Sequence, residues 1–162
     1  MCGIAGMIRF DGAALDRERL QAMVTAMAHR GPDDEGLFAE GGAGLGMRRL
    51  SIIDLTPAGH QPMGSEDGQV QVVFNGEIYN FMDLRSRLAA EGHVFKSRTD
   101  TEVLVHGYQQ FGAVGLAMRL DGMFAFAAAL QGKKLICDVQ GQDRLLERAW
   151  AMLILELFPA LE

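Results

Sequence analysis

The chain has 162 residues, with 15 Lys and Arg against 21 Asp and Glu and a formal net charge of −6. That length suits one domain with a real core, and the acidic balance argues against a nucleic-acid footprint or attraction to an anionic membrane. No apolar run reaches the ~18 residues needed to span a bilayer, the N-terminus lacks the features of a signal peptide, and the cysteines, Cys2 and Cys137, make no disulfide framework, so a reducing cytoplasm is the expected setting.

In chain order, residues 3–10 read as a buried opening strand. Leu15, Leu20, Met23, Val24 and Met27 fall at helical spacing, which predicts an amphipathic helix over 14–29 stopped by Gly31-Pro32. Strands follow at 35–39 and 43–49 around the Gly41-Gly42 turn, and the Gly- and Pro-rich stretch 56–68 reads as loop. Val70 to Phe74 is β-rich and runs into Asn75-Gly76. Residues 81–91 look helical, with Gly92 as the stop. Thr99 and Glu102 form a capping-box pattern that opens a helix closing at Gly112. Gly122 to Leu130 reads as a buried strand, and residues 143–158 as an apolar-rich helix. Strands, then helices, then a strand predict an α+β fold with antiparallel sheets.

The chemistry starts at Cys2. Removal of Met1 would leave a thiol and a free α-amine on one residue, with reference pKa values of about 8.5 and about 7.7–8.0. The amine can then serve as the base for its own nucleophile. The alternative is a small buried cysteine opening a strand. Asn75-Gly76 offers a side-chain amide donor beside an unobstructed backbone N–H, which suits an oxyanion hole, or else a hairpin turn. An arginine at a strand end, within Arg48-Arg49, can clamp a carboxylate or stay a solvated charge. Asp100 can complement a helix N-terminus or hold an ammonium. Together these groups describe a site for hydrolysing the amide of glutamine. His29, His60, His93 and His106 show no metal-ligand spacing, so no metal is expected. Met23 and Met27 read as core packing.

Five motifs appear in order: Met1-Cys2-Gly3-Ile4-Ala5-Gly6, His29-Arg30-Gly31-Pro32-Asp33-Asp34, Arg48-Arg49-Leu50-Ser51-Ile52-Ile53-Asp54-Leu55, Gly59-His60-Gln61-Pro62-Met63 and Asn75-Gly76-Glu77-Ile78-Tyr79-Asn80. Over residues 1–126 the chain resembles the glutaminase domain of glutamine-hydrolysing asparagine synthetases, a class II glutamine amidotransferase with the N-terminal-nucleophile hydrolase fold. The resemblance implies a four-layer α/β/β/α sandwich of antiparallel sheets. It also implies Cys2 as nucleophile and base, and Asn75 and Gly76 as oxyanion hole. Arg49 would hold the α-carboxylate of glutamine and Asp100 its ammonium. Leu50, Ser51, Ile52, Ile53 and Glu77 would line the rest of the pocket. His29, Asp33 and Asp34 would be loop scaffolding.

The resemblance implies L-glutamine as substrate and no cofactor in this domain. ATP and Mg would belong to a synthetase domain absent from the chain, where ammonia amidates aspartate. The match stops near residue 126, and residues 127–162 depart from the family. The tail is expected to be a truncated or frame-shifted end that leaves the fold incomplete, or a segment that docks on a separate synthetase subunit; an oligomer is open. Other readings are a class II amidotransferase serving another acceptor, and an inactive remnant acting as an interaction module.

Overall fold

A computed structural model describes residues 2–130, 134–140 and 153–156. Its strands are β1 (Gly3–Ile8), β2 (Asp34–Glu40), β3 (Ala43–Arg49), β4 (Met63–Gly64), β5 (Val70–Ile78), β6 (Gly122–Leu130), β7 (Lys134–Gln140) and β8 (Leu153–Glu156). The helices are α1 (Arg17–Ala26), α2 (Phe81–Ala90) and α3 (Thr101–Ala117). Among the described residues, β1-β3-β2 form one antiparallel sheet and β4-β5-β6-β7-β8 a second, also antiparallel.

Strand alternation decides what each face does. On β3, Leu45 and Met47 turn towards the second sheet and pack with Val73 of β5 and Ala127 and Ala129 of β6. Ile4, Ile8 and Cys2 join this seam from the β1 side. The opposite face of β3 carries Gly44 and Gly46, and there α1 sits almost on the backbone. A Cβ at Gly46 would lie 2.3 Å from Val24 Cγ2, and one at Gly44 would lie 2.4 Å from Leu15 Cδ2. Val70, Val72, Phe74 and Ile78 of β5 and Phe124, Phe126 and Ala128 of β6 point the other way, into a larger core with Leu84 and Leu88 of α2 and Val103 and Leu104 of α3. The layers are therefore α1, sheet, sheet, and α2 with α3, the four-layer sandwich expected.

Several local expectations are corrected. The opening strand ends at Ile8 rather than residue 10. Helix α1 is shorter than 14–29, because the Asp16 side chain accepts the Arg19 N–H and caps it there. A 3-10 turn over Ala28–Arg30 replaces the last expected turn. Met23 is 38% exposed, so only Leu20 and Val24 of that stripe are fully buried. Asn75-Gly76 is not a hairpin turn, since β5 runs unbroken through it to Ile78. The capping box fails too: the Glu102 carboxylate accepts the N–H groups of Lys96 and Ser97 and the Ser97 hydroxyl, so it anchors the preceding loop. Helix α3 breaks at Gly112 (φ 68°, ψ 178°) as expected, but resumes to Ala117. Of the helix expected over 143–158, residues 143–152, 157 and 158 lie outside the described residues. Leu153–Glu156 instead pair with β7 as β8, because a short apolar run suits a strand as well as a helix.

Candidate active site

The two sheets each bring one half of the site to the same end of their seam. Gly3 of β1 stands opposite Arg48 of β3, so Cys2 falls beside the end of β3. There the Leu50 N–H donates to Cys2 Sγ at 3.3 Å, and Sγ lies 3.7 Å from the Leu50 carbonyl. Arg30 Nε donates to the Cys2 carbonyl at 3.1 Å and so anchors the backbone that carries the thiol. Gly31 allows this close passage: a Cβ there would lie 2.4–2.6 Å from the backbone of Arg48 and Arg49.

Alternation also separates the arginine pair. Arg48 turns to the α1 side, donates to the Val24 carbonyl and pairs with Glu35 at 2.6 Å. Arg49 turns to the seam and is buried, and its guanidinium donates to the carbonyls of Asp54 and Thr56. Gly59 makes room for it, since a Cβ there would sit 2.0 Å from Arg49 Nη2. With five N–H donors, Arg49 can hold this loop and still present donors to a ligand. The loop is fixed again by Asp54, which accepts from the Thr56 hydroxyl and N–H and from the Arg98 N–H. Those hydrogen bonds hold its pKa down at about 2.

From the second sheet, Asn75 and Glu77 share the face of Val73 and point towards Cys2's side of the seam. Gly76 has φ 148°, and a Cβ would lie 2.3 Å from the Met123 carbonyl, so only glycine fits. Asp100 stands just before α3, is 4% exposed and accepts the Ile78 N–H at 3.1 Å. Burial raises its pKa to about 6 against the opposing effect of its backbone hydrogen bonds.

These groups enclose a pocket of about 240 Å³ lined by Cys2, Arg49, Leu50, Ile52, Ile53, Asn75, Gly76, Glu77 and Asp100. It lies just below the roughly 300–1,000 Å³ of drug-sized sites, so it suits a small metabolite. Ser51 is not on the wall; its N–H is taken by the Asp33 carboxylate at 2.8 Å. Asp34 likewise serves the scaffold, with its carboxylate 2.8 Å from His60 Nδ1. Sequence reasoning missed Asp54, Gln61, Phe74, Thr99, Thr101 and Met123 as wall residues. The Gly59 to Met63 motif pointed at Gln61, but its contacts, 13 and 40 residues away, have no local signature. Among the described residues no group of three or more His, Cys, Asp or Glu could hold a metal ion, and no helix is long and apolar enough to cross a membrane.

A small, largely apolar pocket that gathers a thiol, an amide, an arginine and a buried carboxylate lies where the two antiparallel sheets meet, and this chain belongs to the glutamine amidotransferase domain family, which it matches over residues 1–145. Within that family it is similar to asparagine synthetase (glutamine-hydrolyzing) 1 of Bacillus subtilis, 43% identical over 129 residues. It is also 39% identical over 164 residues to the putative asparagine synthetase (glutamine-hydrolyzing) 2 of Methanocaldococcus jannaschii. These matches cover 78% and 90% of this chain but only 20% and 30% of those proteins. The solved glutamine phosphoribosylpyrophosphate amidotransferase from B. subtilis superposes with a TM-score of 0.52 at 21% identity, over 85% of this chain and 31% of that one. That likeness carries the fold, the N-terminal-nucleophile hydrolase fold.

Proposed function

We propose that this chain is the glutamine-hydrolysing domain of an asparagine-synthetase-type enzyme, using Cys2 as its nucleophile once Met1 is removed. The observation that supports it best is the convergence of Cys2, Asn75, Gly76, Arg49 and Asp100 on one small pocket. In this reading Arg49 receives the α-carboxylate of glutamine and Asp100 its ammonium, which leaves the side-chain amide at the thiol. The α-amine of Cys2 takes the thiol proton as Sγ attacks the amide carbon. The oxygen gains charge and is met by the Asn75 side-chain N–H and the Gly76 backbone N–H. The proton passes to the departing nitrogen, the C–N bond breaks and ammonia leaves. Water then attacks the thioester, releasing glutamate and restoring the thiol.

The ammonia would serve a separate synthetase domain or subunit, with its own ATP and Mg, that amidates aspartate to asparagine. A cytoplasmic setting follows from the same reading. The test is ammonia release from glutamine by purified protein, with intact mass measured in parallel. The expected result is release by protein starting at Cys2, abolished in Cys2→Ala. Equal release by Cys2→Ala, or by protein retaining Met1, would refute the mechanism. Addition of a synthetase partner with ATP and aspartate should yield asparagine.

A further inference from the structure

The β5 edge that faces away from β6 has an unusual division of labour. Strand β4 pairs only with Val72 and Gln71. From Phe74 to Ile78 no strand lies on that edge among the described residues. Antiparallel pairing sends alternate N–H groups each way. The Tyr79 N–H goes to the Asp121 carbonyl at 2.7 Å, so the N–H groups of Phe74, Gly76 and Ile78 point outward. The first is taken by Gln61 Oε1 at 2.7 Å and the last by Asp100 Oδ2 at 3.1 Å. Gly76 lies between them, on the pocket wall.

The other arm of Gln61 closes a circuit. Its Nε2 donates to Thr101 Oγ1 at 3.1 Å, on the first residue of α3 and next to Asp100. Gln61 is 5% exposed, and its backbone is seated on Gly36, where a Cβ would lie 1.9 Å from the Gln61 carbonyl oxygen. One amide thus ties the strand that carries Asn75 and Gly76 to the helix start that carries Asp100. The tie needs an acceptor and a donor on one side chain, which a carboxamide supplies.

We propose that Gln61 is a positioning residue that sets the Gly76 N–H against Asp100, an inference that rests on the reading of the pocket as a glutaminase site. A strut of this kind acts on geometry, and displacement by ~1 Å can cost ~10²-fold in rate. Because the oxyanion develops only in the transition state, the loss falls on kcat.

The test compares Gln61→Met, Thr101→Val, Thr101→Ser and the double variant Gln61→Met/Thr101→Val. Gln61→Met should lower kcat ~10–100-fold with KM within about threefold. Thr101→Val should lose a smaller factor, and Thr101→Ser, which keeps the hydroxyl that accepts from Gln61, should lose less than Thr101→Val. The double variant should be no worse than Gln61→Met, since both cut one strut. A Gln61→Met protein that melts earlier but keeps kcat within about twofold would reduce Gln61 to packing and overturn the proposal. The Phe74, Gly76 and Ile78 amide resonances are then read without substrate. Gln61→Met, or Thr101→Val if the former does not fold, should shift Gly76 and speed exchange at Phe74. An unmoved Gly76 resonance overturns the strut; moved resonances in a protein whose wild type releases no ammonia would instead remove the glutaminase reading and leave the strut.

Discussion

In the proposed mechanism Asn75 and Gly76 divide the oxyanion between a side chain and a backbone, so they can be tested apart. Asn75→Ala removes one donor and leaves the strand's own N–H in place. Its expected effect is a ~10²–10³-fold fall in kcat for ammonia release with glutamine KM little changed, and an unchanged rate would exclude the role. Arg49 carries two loads. Besides facing the pocket, it holds the carbonyls of Asp54 and Thr56. Arg49→Ala should therefore raise glutamine KM and lower the melting temperature together, and a fall in kcat alone would contradict the clamp. At this scale the sequence showed which residue types could do the chemistry but not which way they point. Arg48 and Arg49 are chemically equal in the string; the pleat of β3 alone assigns one to the α1 side and the other to the seam. Ser51 lies off the pocket wall, and its backbone N–H goes to the Asp33 carboxylate, a partner that no local pattern announces.

At the scale of elements, β2, β3, α2 and the first part of α3 were legible because period-2 and period-3.6 patterns end in Gly or Pro punctuation. Short pieces were not. The two-residue β4 sits inside a stretch whose composition reads as loop, and its strand character comes entirely from pairing with β5. Glu102 shows the limit of a local motif: three groups from residues 96 and 97 outcompeted the expected cap. The Gly112 break was visible, and its conformation explains why the residue is glycine. At φ 68° and ψ 178° only glycine is unstrained. A Cβ there would meet open space, so Gly112→Ala isolates the backbone cost. It should destabilise by on the order of 1–3 kcal/mol in urea unfolding, with kcat unaffected if the kink serves only packing.

Over the whole molecule, two buried carboxylates pull the pH dependence of stability in opposite directions. Burial pushes Glu102 up, but the His106 imidazole 3.6 Å away and hydrogen bonds from Lys96 and Ser97 outweigh it and hold it at about 2 against an ordinary 4.5. Its contribution is present above pH 4.5 and lost as pH falls towards about 2. Asp100 is raised from 3.8 to about 6, so its contribution is full below pH 3.8 and disappears as pH rises through about 6. The melting temperature should peak where the two effects cross, near pH 4. Asp100→Asn keeps an acceptor for the Ile78 N–H and removes the alkaline decline. It should be the more stable protein at pH 7.5, by on the order of 1–3 kcal/mol, while binding glutamine more weakly. Equal melting temperatures at pH 4 and 7.5 for both proteins would refute the assignment. The layered architecture was legible only through resemblance, because nothing local in Leu45, Met47, Val73 and Ala127 says that their two sheets will meet face to face.

That meeting has a kinetic meaning. Sulfur and guanidinium ride on one slab, amide and glycine on the other, and neither slab holds a complete set of reactants. On the proposed mechanism, slight slippage across the seam would silence turnover while every hydrogen-bonded ladder stayed intact, so ammonia release should fade at lower denaturant than ellipticity does.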